Sequence, residues 1–218
     1  MERRMNIKGM TAAWCVLCAC ASFADDTPVM VSLVTPVQAP SREYDVKGFR
    51  LSLIYGDCRD FAGVDLGLAQ RVAGDFTGVA VGGANIAGGR IRGGQIGIVN
   101  WGSSAETDWS RRSTGTQIGL VNYAGSFCGL QDGLVNVTGD QFVGLQSGFV
   151  NCTCDLSGLQ SGYYIAFGVN VASGSVRGCQ LGIVNYAQTM ECGLQIGLVN
   201  IIANKGWLPV LPIINGHF

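Results

Sequence analysis

Along the middle of the chain the apolar residues alternate with small or polar ones, and the alternation recurs as an octapeptide. Gly93-Gly-Gln-Ile-Gly-Ile-Val-Asn100, Gly115-Thr-Gln-Ile-Gly-Leu-Val-Asn122, Gly129-Leu-Gln-Asp-Gly-Leu-Val-Asn136 and Gly144-Leu-Gln-Ser-Gly-Phe-Val-Asn151 are four copies. Gly178 to Asn185 and Gly193 to Asn200 match as closely, and Gly63 to Gln70, Gly78 to Asn85 and Gly158 to Ile165 match more loosely. Within each copy, large aliphatics stand at every second position with glycine and glutamine between them, the two-residue period of a β-strand. A helix is disfavoured, since glycine at every fourth residue costs about 1 kcal/mol each relative to alanine.

The leading glycines lie at 63, 78, 93, 115, 129, 144, 158, 178 and 193, so the unit is 14 to 15 residues long with two insertions. A repeat that short cannot bury a core alone and must stack on its neighbours. Stacking in parallel, about 4.8 Å apart, sets glycine on glycine, glutamine on glutamine and asparagine on asparagine. This predicts an all-β, single-domain β-solenoid of 14–15-residue coils with terminal caps. Stacked Asn122 and Asn136 are expected to form an amide ladder at a corner, and the motif aliphatics to fill the interior. A second apolar row, Phe76, Ile91, Phe127, Phe142, Leu156 and Val176, stands two residues before the leading glycines. The alternative is an antiparallel β-meander or small outer-membrane β-barrel, which has to reverse the motif in alternate strands and lacks two clear aromatic girdles.

The flanks complete the division of the chain. Arg3, Arg4 and Lys8 precede an apolar run from Met10 to Ala24, the pattern of an export signal, with Ser22-Phe23-Ala24 as the cleavage sequence. Leu17-Cys-Ala-Cys20 also matches a lipobox, which makes Cys20 a lipidation candidate. Residues 1–24 are thus read as signal peptide, 25–62 as linker and cap strands, 63–200 as the nine-copy solenoid and 201–218 as an apolar cap. No proline occurs from Ser41 to Leu208, whereas Pro209 and Pro212 are placed to block edge pairing after the last coil.

Composition narrows the function. Of 218 residues, 33 are glycine and only 5 proline, which excludes collagen and Pro/Gly-rich disorder, and a net charge of −1 supplies no field for nucleic acid. Six cysteines follow the leader, without a CxxC pair, and read as small buried hydrophobes with one or two disulfides as the alternative. The single histidine, His217, lies next to the end of the chain, far from any base-and-nucleophile pairing. Asp57, Asp60, Asp65 and Asp75 form a local carboxylate cluster whose spacing fits no calcium loop. No catalytic, cofactor-binding or metal residue is assigned, and no cofactor is expected. The first insertion, 101–114, gathers Trp101, Glu106, Asp108, Trp109, Arg111 and Arg112 in a zone poor in charge, and is the candidate partner-contact loop.

The octamers, followed by Asn204-Lys-Gly-Trp-Leu-Pro-Val-Leu-Pro-Ile-Ile-Asn215, resemble a bacterial surface-repeat family of leptospiral type over roughly Gly63 to Phe218. The resemblance implies an exported or envelope-associated bacterial protein and carries no catalytic residues with it. The expected function is a non-catalytic structural repeat protein presenting a regular β face for adhesion or assembly, with an unidentified protein or glycan as partner. A membrane enters if Cys20 is lipidated or the barrel holds. An outer-membrane barrel and a polysaccharide-acting solenoid hydrolase are the alternatives.

Overall fold

The computed structural model describes residues 26–103, 112–163 and 167–218. Among them are fourteen strands and no helix. They are β1 (Asp26–Val34), β2 (Val37–Ala39), β3 (Asp45–Cys58), β4 (Phe61–Val72), β5 (Phe76–Ala87), β6 (Ile91–Gly102) and β7 (Ser113–Ala124), followed by β8 (Phe127–Thr138), β9 (Gln141–Ser147), β10 (Val150–Thr153), β11 (Asp155–Ser161), β12 (Val169–Leu181), β13 (Val184–Ile202) and β14 (Val210–His217). From β3 to β13 each coil lies parallel on the one before it, glycine on glycine: Gly63 on Gly48, Gly78 on Gly63, Gly93 on Gly78, and so to Gly193 on Gly178. The result is a β-solenoid of about 11 turns, and neither a meander nor a barrel. Gln131 has Gln117 and Gln146 as its register partners, as parallel stacking requires.

The chain turns at fixed points of the motif. Register pairing lapses at the sixth position, between the Gly67–Gly82 and Ala69–Ala84 pairs and at the equivalent place in the next coils. This is the vertex where one wall of the coil gives way to the next. At the first position every glycine from Gly48 to Gly193 has φ between 131° and 155°, a region that side-chain-bearing residues avoid. From Gly63 onward a Cβ there points at the carbonyl oxygen of the equivalent glycine one coil earlier, and at Gly48 it points at the Pro28 carbonyl.

The two sides of the strand are the reverse of the expected assignment. The motif aliphatics do not fill the interior: Ile96, Ile98, Ile118, Leu120 and Leu198 are all exposed. Gln95, Gln117, Gln131 and the rest of their column are fully buried, as is the asparagine column, which runs through the interior and not along a corner. Two-residue alternation defines two sides without saying which is inner. Glutamines stacked at the strand spacing satisfy one another, so burial costs them little. The apolar interior comes instead from the row before the glycine, as read from the sequence, and from small residues at the tenth position such as Ala87, Ala124 and Ala187. It falls into two clusters, Met30 to Ile91 and Ala124 to Ile202. Between them Ser113 replaces the usual apolar residue and its hydroxyl accepts the backbone N–H of Ile91 at 3.0 Å. Within the clusters the aromatics stack coil on coil, Phe61 on Phe76 at 5.5 Å and Phe127 on Phe142 at 6.3 Å.

The stack begins before the boundary drawn at residue 63. In β3, Gly48-Phe-Arg-Leu-Ser is a diverged copy in register with β4, and β1 lies parallel to β3. Each end is closed by a reversed strand: β2 runs antiparallel to β1, and β14 antiparallel to β13. Pro36 and Pro40 bracket β2 and Pro212 interrupts β14, so neither outer edge presents an unbroken row of donors to another chain.

Candidate functional site

Two hydrogen-bonded amide columns form the spine of the coil. In one, the Nδ2 of each asparagine donates to the Oδ1 of the asparagine in the next coil, at 2.8 to 2.9 Å from Asn85 through Asn200. Its second proton goes to a backbone carbonyl of that next coil, as from Asn122 to Asp132 and from Asn136 to Ser147. The other column runs the opposite way. Gln117 Nε2 donates back to Gln95, and the sense persists to Gln195, which donates to Gln180. Glycine at the fifth position makes room for this spine, since a Cβ on Gly97 or Gly133 would crowd the Nδ2 of Asn85 or Asn122.

Where the glutamine column reaches the first coils it changes chemistry. Arg50 and Asp65, at the third positions of the motifs that Gly48 and Gly63 begin, form a buried ion pair in which Nε donates to one carboxylate oxygen at 2.8 Å and Nη2 to the other. Nη1 donates to the Arg71 carbonyl at 3.0 Å and to Cys58 Sγ at 2.9 Å, and the guanidinium lies 5.2 Å from the Phe61 ring centre. Burial raises the Asp65 carboxyl, and the hydrogen bonds from Arg50 pull it back; burial pushes the Cys58 thiol up to about 12, which keeps it protonated and unreactive. This cluster is fully enclosed and acts as the cap of the spine. Asp65→Asn leaves a buried guanidinium without its counter-charge and is expected to cost about 3–5 kcal/mol, whereas Arg50→Met with Asp65→Leu recovers most of that loss. Urea unfolding of the single and double variants measures both.

The carboxylate cluster read from the sequence resolves into clamps. Asp60 accepts the backbone N–H of Asp75 at 2.7 Å, and Asp75 that of Arg90 at 2.8 Å, each one coil later. Asp155 does the same for Ser175, and Asp57 pairs with Arg71. Among the described residues no group of histidines, cysteines and carboxylates is arranged to hold a metal. His217 lies against the Glu191 carbonyl at 3.1 Å. A shallow groove at the carboxyl end is bordered by Arg177, Glu191, Cys192, Leu194 and Phe218, its one acid and one base being engaged with each other.

The six cysteines among the described residues are free. Cys58 is buried and Cys192 exposed, the other four are half-buried, and no disulfide joins any pair among the described residues. The reading as small buried hydrophobes therefore fits Cys58 alone. Cys128, Cys152, Cys179 and Cys192 occupy outward positions of the strands, and Cys154 sits in the bend between β10 and β11.

Of the proposed contact loop, Glu106, Asp108, Trp109 and Arg111 lie outside the described residues, as does Cys20. Trp101 belongs to the coil wall and not to the loop: it follows Asn100 in β6 and stacks on Tyr123 of β7, ring centres 4.0 Å apart. Arg112 is half-buried just before β7.

The feature that stands out is the wall itself. The second, fourth, sixth, seventh and ninth positions of the motif point outward, and most carry Val, Ile or Leu. The vertex column is the most exposed, with Leu68 at 61%, Ile98 at 58% and Leu198 at 69%. The columns continue onto the caps through Val29, Val31, Leu33, Phe49 and Leu53. Comparison with protein-family models, with curated proteins and with solved structures finds no match to this chain.

Proposed function

We propose that the chain is an exported, envelope-associated structural repeat protein without catalytic chemistry, whose aliphatic wall is an assembly surface. One observation carries this reading: exposed aliphatics recur on the outer walls of most coils from β1 to β14, broken in the fourth column by Asp132, Ser147 and Ser161, and together they make a larger apolar surface than a soluble monomer leaves open. The leader-like segment before residue 25 and the resemblance to bacterial surface repeats support the location. The absence of a catalytic role is supported by the use made of the carboxylates, which clamp turns or pair with arginines inside the fold.

Sedimentation in detergent-free buffer tests the assembly surface. The chain recovered after export is expected to associate well beyond monomer mass. A variant with Leu68→Glu, Leu120→Glu and Leu198→Glu, placed on non-adjacent coils so that the new charges do not stack, is expected to sediment as a monomer with unchanged thermal unfolding. A wild-type monomer that stays monodisperse and leaves apolar dyes unbound overturns the reading.

A further inference from the structure

We propose that the occupant of the aliphatic wall is a lipid bilayer: the solenoid lies with its long axis in the membrane plane, its vertex sunk into one leaflet and its loop side in water. The inference rests on the assembly-surface reading and names its partner.

The shape of the apolar surface favours lipid over a second copy. The exposed aliphatics cover two walls and the vertex between them, and the vertex column, which faces away from both walls, is the barest. Eleven coils at the strand spacing give a wall roughly 50 Å long and about 13 Å wide. A copy laid on one wall buries about 650 Å² per chain, the low end of a specific interface, and leaves the vertex and the second wall in water. Lipid covers all three at once. The ends add nothing to self-assembly, because both are closed by short or proline-broken reversed strands.

Charge is distributed as such a placement requires. Among the described residues from Phe61 to Ile202, charged side chains fall within the four residues before a leading glycine, as with Asp75, Arg90, Arg92, Asp140, Arg177 and Glu191. The exceptions are Asp65, buried against Arg50, Arg71, paired with Asp57, and Asp132, which accepts the hydroxyl of Tyr163. Both signs are present on the ridge and partly neutralise each other, Arg90 with Asp75 and Arg177 with Glu191. Attachment is therefore driven by apolar burial and does not need anionic lipid.

Two further features agree. Backbone N–H and C=O groups along the walls are spent on the neighbouring coil, so the surface offered to hydrocarbon is side chain and not unpaired peptide. At the ninth position, where the apolar wall gives way to the polar loops, stand Trp101, Tyr123 and Tyr186. Aromatics with one polar atom prefer that depth of an interface.

Flotation with phosphatidylcholine vesicles tests the proposal, using chain recovered after export and carrying Cys20→Ser so that no acyl group contributes. The chain is expected to float, and brominated phosphatidylcholine to quench its tryptophan emission. The variant Leu68→Glu, Leu120→Glu, Leu198→Glu is expected to lose about a hundredfold or more in partitioning. Ala73→Glu with Ser173→Glu and Ala203→Glu, which adds equal charge on the loop side, is expected to float as the wild type does. Unquenched tryptophan with the chain left at the bottom overturns the proposal; if that chain also self-associates in buffer, the assembly surface stands and its partner is a second copy. Equal losses in the two charge variants also overturn it, since the vertex is then not what binds.

Discussion

Asn136→Ala is expected to lower the unfolding free energy by about 3–5 kcal/mol, a large part of the 5–15 kcal/mol typical of a domain. The side chain donates to Asn151 Oδ1 and to the Ser147 carbonyl, and accepts from Asn122 Nδ2. Its removal leaves a buried donor on one side and a buried acceptor on the other, in a space that the backbones of Gly133 and Gly148 border closely. Three hydrogen bonds are lost, and of their three partners the two amide groups are stranded where no solvent reaches. Replacement of an outward neighbour, Val135→Ala, removes only a half-exposed side chain and is expected to cost well under about 1 kcal/mol. Chemical denaturation of the two variants side by side supplies the comparison, and near-equal losses would show that the spine does not hold the coils together.

A second pair of substitutions, on adjacent residues, is expected to diverge even more sharply. Gly93→Ala forces a side-chain-bearing residue to φ near 133° and drives its Cβ into the Gly78 carbonyl oxygen. That oxygen belongs to the backbone of the neighbouring coil and yields only if the coils part. Strain of this kind costs about 1–3 kcal/mol before the steric clash is counted, so a total above about 3 kcal/mol is expected. Gly94→Ala meets nothing within 4 Å and is expected to be neutral or to stabilise by about 0.4–1 kcal/mol through the unfolded chain. Thermal melts of both variants decide the matter. Equal behaviour would mean that the glycine column serves flexibility and not close approach.

Much of the architecture is legible in the sequence because the motif says the same thing many times. Identical octapeptides at a 14–15-residue period require like residues to meet, and the parallel register, with Gln131 between Gln117 and Gln146, follows. The proline-marked ends are also legible. The facing of the strand is not, because here the hydrophobic side of the alternation is the outer one. A signal was present: the third and eighth positions hold Gln and Asn almost without change, while the fourth runs Ile96, Ile118, Asp132, Ser147, Ser161, Leu181, Ile196. A position that tolerates both isoleucine and aspartate is not an interior one. The pairing of Arg50 with Asp65, which the sequence shows only as one member of a loose carboxylate cluster, is hidden for a related reason. Each looks like a stray charge until both are counted from their leading glycines, which puts them in one buried column, one coil apart. Trp101 reads as a loop residue because it follows the octamer, although the strand continues two residues past Asn100.

The opposite senses of the two amide columns leave their unpaired acceptors at opposite ends: Gln70 Oε1, one coil before the first asparagine, and Oε1 of Gln195, the last glutamine. Each orphan costs about 1–3 kcal/mol, and it does so once, whatever the number of turns between. A gene segment encoding one whole unit can thus be duplicated or deleted without creating a new unmatched amide, whereas a single-residue slip inside a unit would swing glutamine outward and leucine inward along the rest of that strand. Length in such a molecule is free to drift in steps of one coil.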